Sequence, residues 1–208
     1  MKYILNSSLI RVFAFVVLAS ISVRQAGAVP KTYLVVVDTS SVSGTVGHID
    51  FQFNPGNATT QAASAVVGSF NLVGGSLIGV PQVTGSVSGA LPGTITFTNS
   101  TALNEVFQGV TFGTTLSFEV TFSGPAIDTP NGTATAGSTF GIGLYDSNQN
   151  PILTNQGATT GFAGQVDINL NGTTTATAFP RNNMGGTSVV TFVPVDVDFL
   201  YFFWFFAS

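Results

Sequence analysis

The chain has 208 residues, no cysteine, five basic and nine acidic residues, and only 7% of its residues are charged. The formal net charge of −4 argues against nucleic acid and anionic membrane surfaces as partners, because both attract basic proteins. Without cysteine the chain forms no disulfide, so its stability has to come mainly from a buried core.

The N-terminus has the pattern of a secretory signal peptide covering residues 1–28. Lys2 and Arg11 give a basic start, residues 12–18 are apolar, and small residues at positions 26–28 end the segment. We expect cleavage between Ala28 and Val29. The alternative is an uncleaved membrane anchor, but the apolar run is short for a bilayer span of about 20 residues. Cleavage leaves two basic residues against nine acidic ones, a formal charge of −7.

Residues 29–193 are predicted to form one domain of half-buried strands. Ile49 and its apolar neighbours alternate with polar side chains, and a strand places alternate side chains on opposite faces. The predicted buried residues of this strand are Ile49, Phe51 and Phe53, and the predicted outward-facing ones are His48, Asp50, Gln52 and Asn54. Two further segments, 116–123 and 140–144, have the same period and indicate an antiparallel sheet.

Other segments rich in branched and aromatic residues are predicted as strands, with Gly, Pro, Asn and Ser clusters between them. They are residues 33–38, 66–73, 82–87, 94–99, 106–112, 166–170, 173–179 and 188–192. No long segment after the leader has a helical period. Two short segments, residues 60–67 and 102–106, are weak exceptions that could each form a turn of helix. Strands with one buried face require a second sheet, so we predict an all-β antiparallel sandwich with jelly-roll connectivity, in preference to a closed barrel.

The dipeptide Asn171-Gly172 is the clearest turn signal. It separates two strand segments, and Asn-Gly is favoured where both central residues of a hairpin turn have positive φ. A two-residue hairpin turn is therefore predicted here.

Residues 194–208 are predicted to be a separate C-terminal tail. Every residue from 199 to 206 except Leu200 is aromatic, and the segment contains the single tryptophan, Trp204. Eight apolar residues are too few for a helical membrane span. The tail is either a degenerate sorting or membrane-interface segment, or a final strand, a damaged terminus or a frameshifted end.

The sequence offers few groups for catalysis. His48 is the single histidine, and no Gly-x-Ser-x-Gly segment presents a serine to it. One histidine without cysteine cannot assemble a typical zinc or copper site. Glycoside hydrolysis remains a third-ranked hypothesis, because it needs two carboxyl groups facing each other across a cleft. We therefore expect a protein that is not an enzyme.

Calcium requires only oxygen ligands. Asp146, Asn148 and Asn150 reproduce the opening of a calcium-binding loop, but Pro151 replaces its glycine and Gly157 its bidentate glutamate. The standard loop is excluded, and two alternatives remain: an Asn-rich turn, or a non-standard calcium site using Asp146 and Asn148.

A carbohydrate-binding surface combines exposed aromatic faces with polar amides. Tyr33 and Tyr145 are the predicted exposed aromatic residues, and Gln52 and Asn54 are amides on an outward face. We take Asp38, Asp50, Gln52, Asn54 and Tyr145 as candidate ligand-binding residues. Most phenylalanines fall at buried strand positions, where aromatic residues serve packing.

Several segments resemble a family of exported bacterial proteins that usually carry a PEP-CTERM sorting tail. They are residues 33–40, 47–56 (containing DFQFNPG), 108–118 (containing TFGTTLSF) and 140–146. The resemblance implies export by a Gram-negative bacterium that makes extracellular polysaccharide, and it brings no known activity. The family's Pro-Glu-Pro signal, hydrophobic span and basic cluster are replaced here by residues 194–208.

The sequence thus favours a secreted or cell-surface β-sandwich that is a structural or adhesive component of the cell surface or polysaccharide matrix. The alternative is a carbohydrate-binding module that binds its ligand with or without the assistance of calcium. In either case we expect extracellular polysaccharide or surface components as partners, and no stable transmembrane span in residues 29–193.

Overall fold

The computed structural model describes residues 31–157, 159–182 and 185–195. The predicted signal peptide, its cleavage site at Ala28 and Val29, and residues 196–208 of the tail lie outside the described residues. Within the described ranges, no helix has the length and apolar character needed to cross a bilayer.

The described chain consists of short antiparallel strands in two six-stranded sheets. The strands are β1 Lys31–Asp38, β2 Val46–Pro55, β3 Ser64–Val73, β4 Ser76–Thr84, β5 Val87–Gly89, β6 Ile95–Thr98, β7 Glu105–Thr111, β8 Thr115–Ser123, β9 Ser138–Asp146, β10 Phe162–Ile168, β11 Thr174–Ala178 and β12 Val190–Val195. A 3-10 helix, Ser40–Val42, follows β1, and a four-residue helix α1, Pro125–Asp128, follows β8.

The connectivity is that of a jelly roll, as predicted. Sheet A has the order β12-β1-β8-β3-β6-β5 and sheet B the order β11-β10-β9-β2-β7-β4. The orders β1-β8-β3-β6 and β2-β7-β4 arise when a long hairpin of paired strands folds over into two sheets, which is how a jelly roll is built. β9 to β11 then extend sheet B beside β2, and β12 returns to sheet A beside β1.

The core lies between the sheets and is formed by the alternate residues that the sequence marks as apolar. Ile49, Phe51 and Phe53 of β2 are fully buried, as are the apolar positions of β8. Phe140 stands in the middle of this layer, with ring centroids 5.9 to 6.5 Å from four other phenylalanines. They are Phe51, Phe97, Phe118 and Phe122.

Two secondary-structure predictions require correction, one of a strand and one of a helical turn. The predicted strand 82–87 is two strands, because Gly85, with φ +76°, turns the chain between β4 in sheet B and β5 in sheet A. The predicted helical turn at 60–67 is wrong as well, since β3 begins at Ser64. Ala65 and Val67 alternate into the core there, and this burial outweighs the helical propensity of the alanines.

The turn at Asn171-Gly172 has three residues, where two were predicted. Ile168 pairs with Thr174, the amide of Asn169 donates to the carbonyl of Thr173, and the amide of Gly172 donates to the carbonyl of Asn169. Gly172 is thus the single positive-φ residue of the turn, at +79°. This is the three-residue hairpin that ends in a left-handed glycine.

Phe140→Ala tests the importance of the aromatic layer. The variant should lower the free energy of unfolding by about 3–5 kcal/mol, because it removes a buried ring and leaves a cavity. Val80, which is 91% exposed, is the matched control, and Val80→Ala should change stability by less than about 0.5 kcal/mol. Urea unfolding followed by circular dichroism measures both. Equal effects of the two substitutions would contradict the assigned core.

Candidate functional site

The outer face of sheet B carries the polar and aromatic residues that the sequence analysis singled out. The register aligns them in rows that run across β4, β7, β2, β9 and β10. The first row is Ile78, Gly109, His48 and Tyr145; the second is Gln82, Phe107, Asp50, Gly143 and Phe162; the third is Thr84, Glu105, Gln52, Gly141 and Gln165. Three candidates, Asp50, Gln52 and Tyr145, therefore lie in adjacent rows of one face.

A chain of hydrogen bonds runs along β2 in one direction. The amide of Asn104 donates to Oδ1 of Asn54 (2.8 Å), and Nδ2 of Asn54 donates to Oε1 of Gln52 (2.9 Å). Nε2 of Gln52 then donates both to Oδ2 of Asp50 (2.8 Å) and to Oε1 of Glu105 (3.0 Å). The two carboxyl groups are thus held side by side on neighbouring strands.

Asp50 is buried although it is on an outer face. Phe107 and Tyr145 belong to the strands on either side of β2, and their ring centroids are 5.4 Å apart in a T-shaped contact. The two rings therefore meet across β2, over Asp50, and leave this residue only 1% exposed. The prediction that Asp50 is outward-facing is correct for the sheet face, and the expectation that the residue is exposed is wrong because these rings cover it.

The carboxyl group of Asp50 is only partly satisfied. Oδ1 is buried and has no hydrogen-bond donor within the described part of the chain. Burial, and secondly the charge of Glu105, raise the pKa of Asp50 to about 7. An uncharged form is favoured because the site is desolvated and another carboxylate is close.

Glycines make room for the ring of Tyr145. A Cβ on Gly143 would lie 2.7 Å from Cε2 of Tyr145, and one on Gly161 would overlap its hydroxyl. The ring can lie flat over the sheet only because these positions carry no side chain. Burial, with the charges of Asp50 and Glu105, raises the pKa of Tyr145 to about 12.

A groove of about 170 Å³ lies beside these rings, between β2, β7 and β4. The imidazole of His48 stacks on Phe107 at 4.5 Å and forms one side with it. Ile78, Val80 and Gln82 form the other side, where β4 bulges away from β7. Buried Gln108 holds this bulge, because its Nε2 donates to the carbonyls of Ile78 and Gly109, both at 2.9 Å.

Asp38 does not belong to this cluster. It ends β1 in sheet A, is exposed, and accepts a hydrogen bond from the amide of Ser40 (3.0 Å). Hydrogen bonds from the side chain and the amide of Ser40 lower the pKa of Asp38. Its local role is to terminate the strand in a turn.

The Asp146 loop is stabilised from within. Oδ1 of Asp146 accepts hydrogen bonds from the amides of Asn148 (2.8 Å) and Asn150 (2.9 Å), and Nδ2 of Asn150 is 3.1 Å from Oδ2. The bonds from Asn150 are the main reason why the pKa of Asp146 is lowered. Among the residues that the structure describes, no three His, Cys, Asp or Glu side chains are grouped to hold a metal. A calcium site at Asp146 and Asn148 stays a prediction.

The position of Tyr33 differs from the prediction. It was predicted to be exposed but is 8% exposed, because its ring packs edge-on against Phe122 and Phe192. Its hydroxyl shares a hydrogen bond of 2.7 Å with Oγ1 of Thr174.

The outer face of sheet A has a different character. Its strands present mainly threonine, serine and branched aliphatic side chains, as in the row Thr32, Thr121, Val66 and Thr96. The carboxylate of Glu119 on this face accepts a hydrogen bond from Ser69 (3.1 Å).

Three residues of the site were not assigned to it from the sequence. The sequence pattern places Phe107 within a predicted strand and assigns no binding role to Glu105 or Asn104. All three depend on the pairing of β7 with β2, residues about 55 positions apart in the chain. No local pattern encodes that pairing.

Comparison with known proteins adds no relative to this geometry: no family model, no curated protein and no solved structure matches the chain.

The raised pKa of Asp50 predicts a specific pH dependence. The folded state holds the proton of the Asp50 carboxyl group more tightly than the unfolded state does. The contribution of Asp50 to the free energy of unfolding is therefore largest below about pH 4 and decreases up to about pH 7. Between pH 5 and pH 8 the loss should be about 3 kcal/mol, and Asp50→Asn should remove most of it.

Urea unfolding at several pH values measures this effect. Asp38 and Asp146 do not interfere, because their lowered pKa values keep them ionised throughout this range. Asp167→Asn is the control on the same sheet face, since that carboxylate accepts bonds from Thr139 and Gln165. Parallel pH curves for the wild type and Asp50→Asn would show that Asp50 ionises normally.

Proposed function

We propose that this protein is an exported, non-enzymatic β-sandwich that is a structural or adhesive component of the bacterial cell surface or extracellular polysaccharide matrix. The signal-peptide pattern of residues 1–28 and the resemblance to exported PEP-CTERM proteins support export. The sandwich supports a structural role because it buries a large aromatic core without needing a disulfide.

The observation that carries this proposal is the difference between the two outer faces. Sheet A presents a hydroxyl-rich face with few charges, suited to broad contact with neutral surfaces or polymers. Sheet B presents an aromatic and acidic cluster beside a groove. One face therefore suits packing in a matrix, and the other suits contact with a particular ligand.

The carboxyl pair on sheet B does not favour hydrolysis. A glycosidase holds two carboxyl groups on opposite sides of the bond that it cleaves. Asp50 and Glu105 are close, but the amide of Gln52 lies between them and donates to both. The position that a scissile bond would need is thus filled by a side chain of the protein.

A carbohydrate-binding module is the second candidate function, and the groove on sheet B favours it. The aromatic His48–Phe107 stack lies opposite the Gln82 amide, a combination that suits the apolar face and the hydroxyl groups of a sugar. Of the predicted ligand residues, Asp50 and Tyr145 lie nearest to this groove, because they pair with its lining residues Phe107 and His48. Calcium assistance through Asp146 remains part of this candidate.

Export is tested by fractionating cells of a native producer. The protein should be found at the cell surface or in the matrix, with Val29 as its N-terminal residue. Recovery of the protein in the cytoplasm with residues 1–28 intact would refute the proposal.

Sugar binding is tested by thermal unfolding of the purified protein with a panel of neutral and charged glycans, with and without calcium. A glycan that binds only the folded state raises the midpoint in a saturable manner. Gln82→Ala should weaken that rise, whereas Thr191→Ala, an exposed substitution on sheet A, should not. A flat response to every glycan would leave the structural role and remove the binding module.

A further inference from the structure

The cluster around Asp50 has an unbalanced set of charges. Asp50 and Glu105 share one amide group as their donor, at 2.8 and 3.0 Å. The two basic residues of the described chain lie elsewhere, Lys31 in sheet A and Arg181 after β11. Within the described ranges, no lysine or arginine therefore lies beside these two neighbouring carboxyl groups.

The unpaired oxygen of Asp50 shows where a missing partner would bind. The carboxyl group of Asp50 lies beneath the rings of Phe107 and Tyr145. Its Oδ2 accepts a hydrogen bond from Gln52, whereas its Oδ1 has no donor among the described residues. A buried oxygen in this state costs free energy unless a donor reaches it. The partner has to be a hydrogen-bond donor that tolerates two aromatic walls.

We propose that the Asp50–Glu105 pair, covered by Phe107 and Tyr145, is a binding site for a protonated amine of an amino-sugar polysaccharide. This inference rests on the proposed contact with extracellular polysaccharide and names the chemical group that the sheet B face selects. The ammonium group donates to Oδ1 of Asp50 and neutralises the charge of Glu105. The sugar ring then extends into the groove beside Phe107.

Other ligands fit the site less well. A metal ion requires several oxygen ligands, and the described residues provide no group of three ionisable ligands. An anionic polysaccharide is repelled by the carboxyl pair. A neutral sugar satisfies Oδ1 but leaves the two acidic groups uncompensated. The raised pKa of Asp50 agrees with a site that holds a proton until a cation replaces it.

Access to Asp50 requires a movement of Tyr145. Its ring lies over Gly143 and Gly161 and is half-buried. The proposed binding requires the ring to leave this position by a change of side-chain rotamer. The neighbouring groove, lined by Phe107 and His48, gives the ligand a place from which to approach.

A matched pair of ligands tests the proposal. Short oligomers of glucosamine and of N-acetylglucosamine can be compared at equal length. Each sugar of the first carries an ammonium group, and each sugar of the second carries a neutral amide in its place. Calorimetry with the full chain should show that the glucosamine oligomer binds at least about tenfold more tightly. Asp50→Asn and Glu105→Gln should each remove this preference, and Asp167→Asn, on the same face, should retain it.

The alternative outcomes have distinct meanings. Equal binding of both oligomers would overturn the ammonium site and keep the carbohydrate-binding candidate. Binding of polylysine as tight as that of glucosamine would overturn the choice of a sugar and indicate a protein partner. A calcium response that depends on Asp50 would indicate a metal instead. Binding of neither oligomer by a protein located at the cell surface would refute this inference alone, whereas a cytoplasmic location would refute the proposed function.

Discussion

The packing of phenylalanine rings between the two sheets is the interaction on which the rest of the structure depends. The chain has no cysteine, and its described part has two basic residues, so that neither disulfides nor an extensive network of ion pairs can hold the sheets together. Phe140 contacts rings from both sheets, which fixes the separation and the register of the strands at the same time. Every position on the outer faces follows from that register.

The fold could be predicted because its main signal is local. A period of two along β2 or β8 assigns each side chain to a face without any knowledge of the neighbouring strands. Two local features could not be predicted: the three-residue turn at Gly172 and the division of β4 from β5 at Gly85. Both depend on how the flanking strands pair, and a dipeptide or an apolar pattern does not encode strand pairing.

The candidate site was only partly predictable, because it is a property of three strands. The sequence places Asp50 and Gln52 on the outward face of β2, which is correct. It cannot place the rings of Phe107 and Tyr145 above Asp50, because these come from β7 and β9. Gly143 and Gly161 carry no side chain, which allows the ring of Tyr145 to lie flat over the sheet. An exposed-looking aspartate is thus buried by residues that are distant in the chain.

The unsatisfied oxygen of Asp50 follows from the direction of the hydrogen-bond chain and cannot be removed by turning an amide over. The backbone N–H of Asn104 can only donate, so Asn54 has to present its oxygen to it and its NH2 group to Gln52. Gln52 then ends the chain with two hydrogens, one for each carboxyl group. Turning Gln52 over would place its oxygen against two carboxyl groups. Glu105 is half-exposed and can use water for its second oxygen, whereas Asp50 is covered. The hydrogen bonds along β2 therefore leave one buried oxygen, Oδ1 of Asp50, without a donor. This oxygen determines which chemical groups the outer face of sheet B can bind.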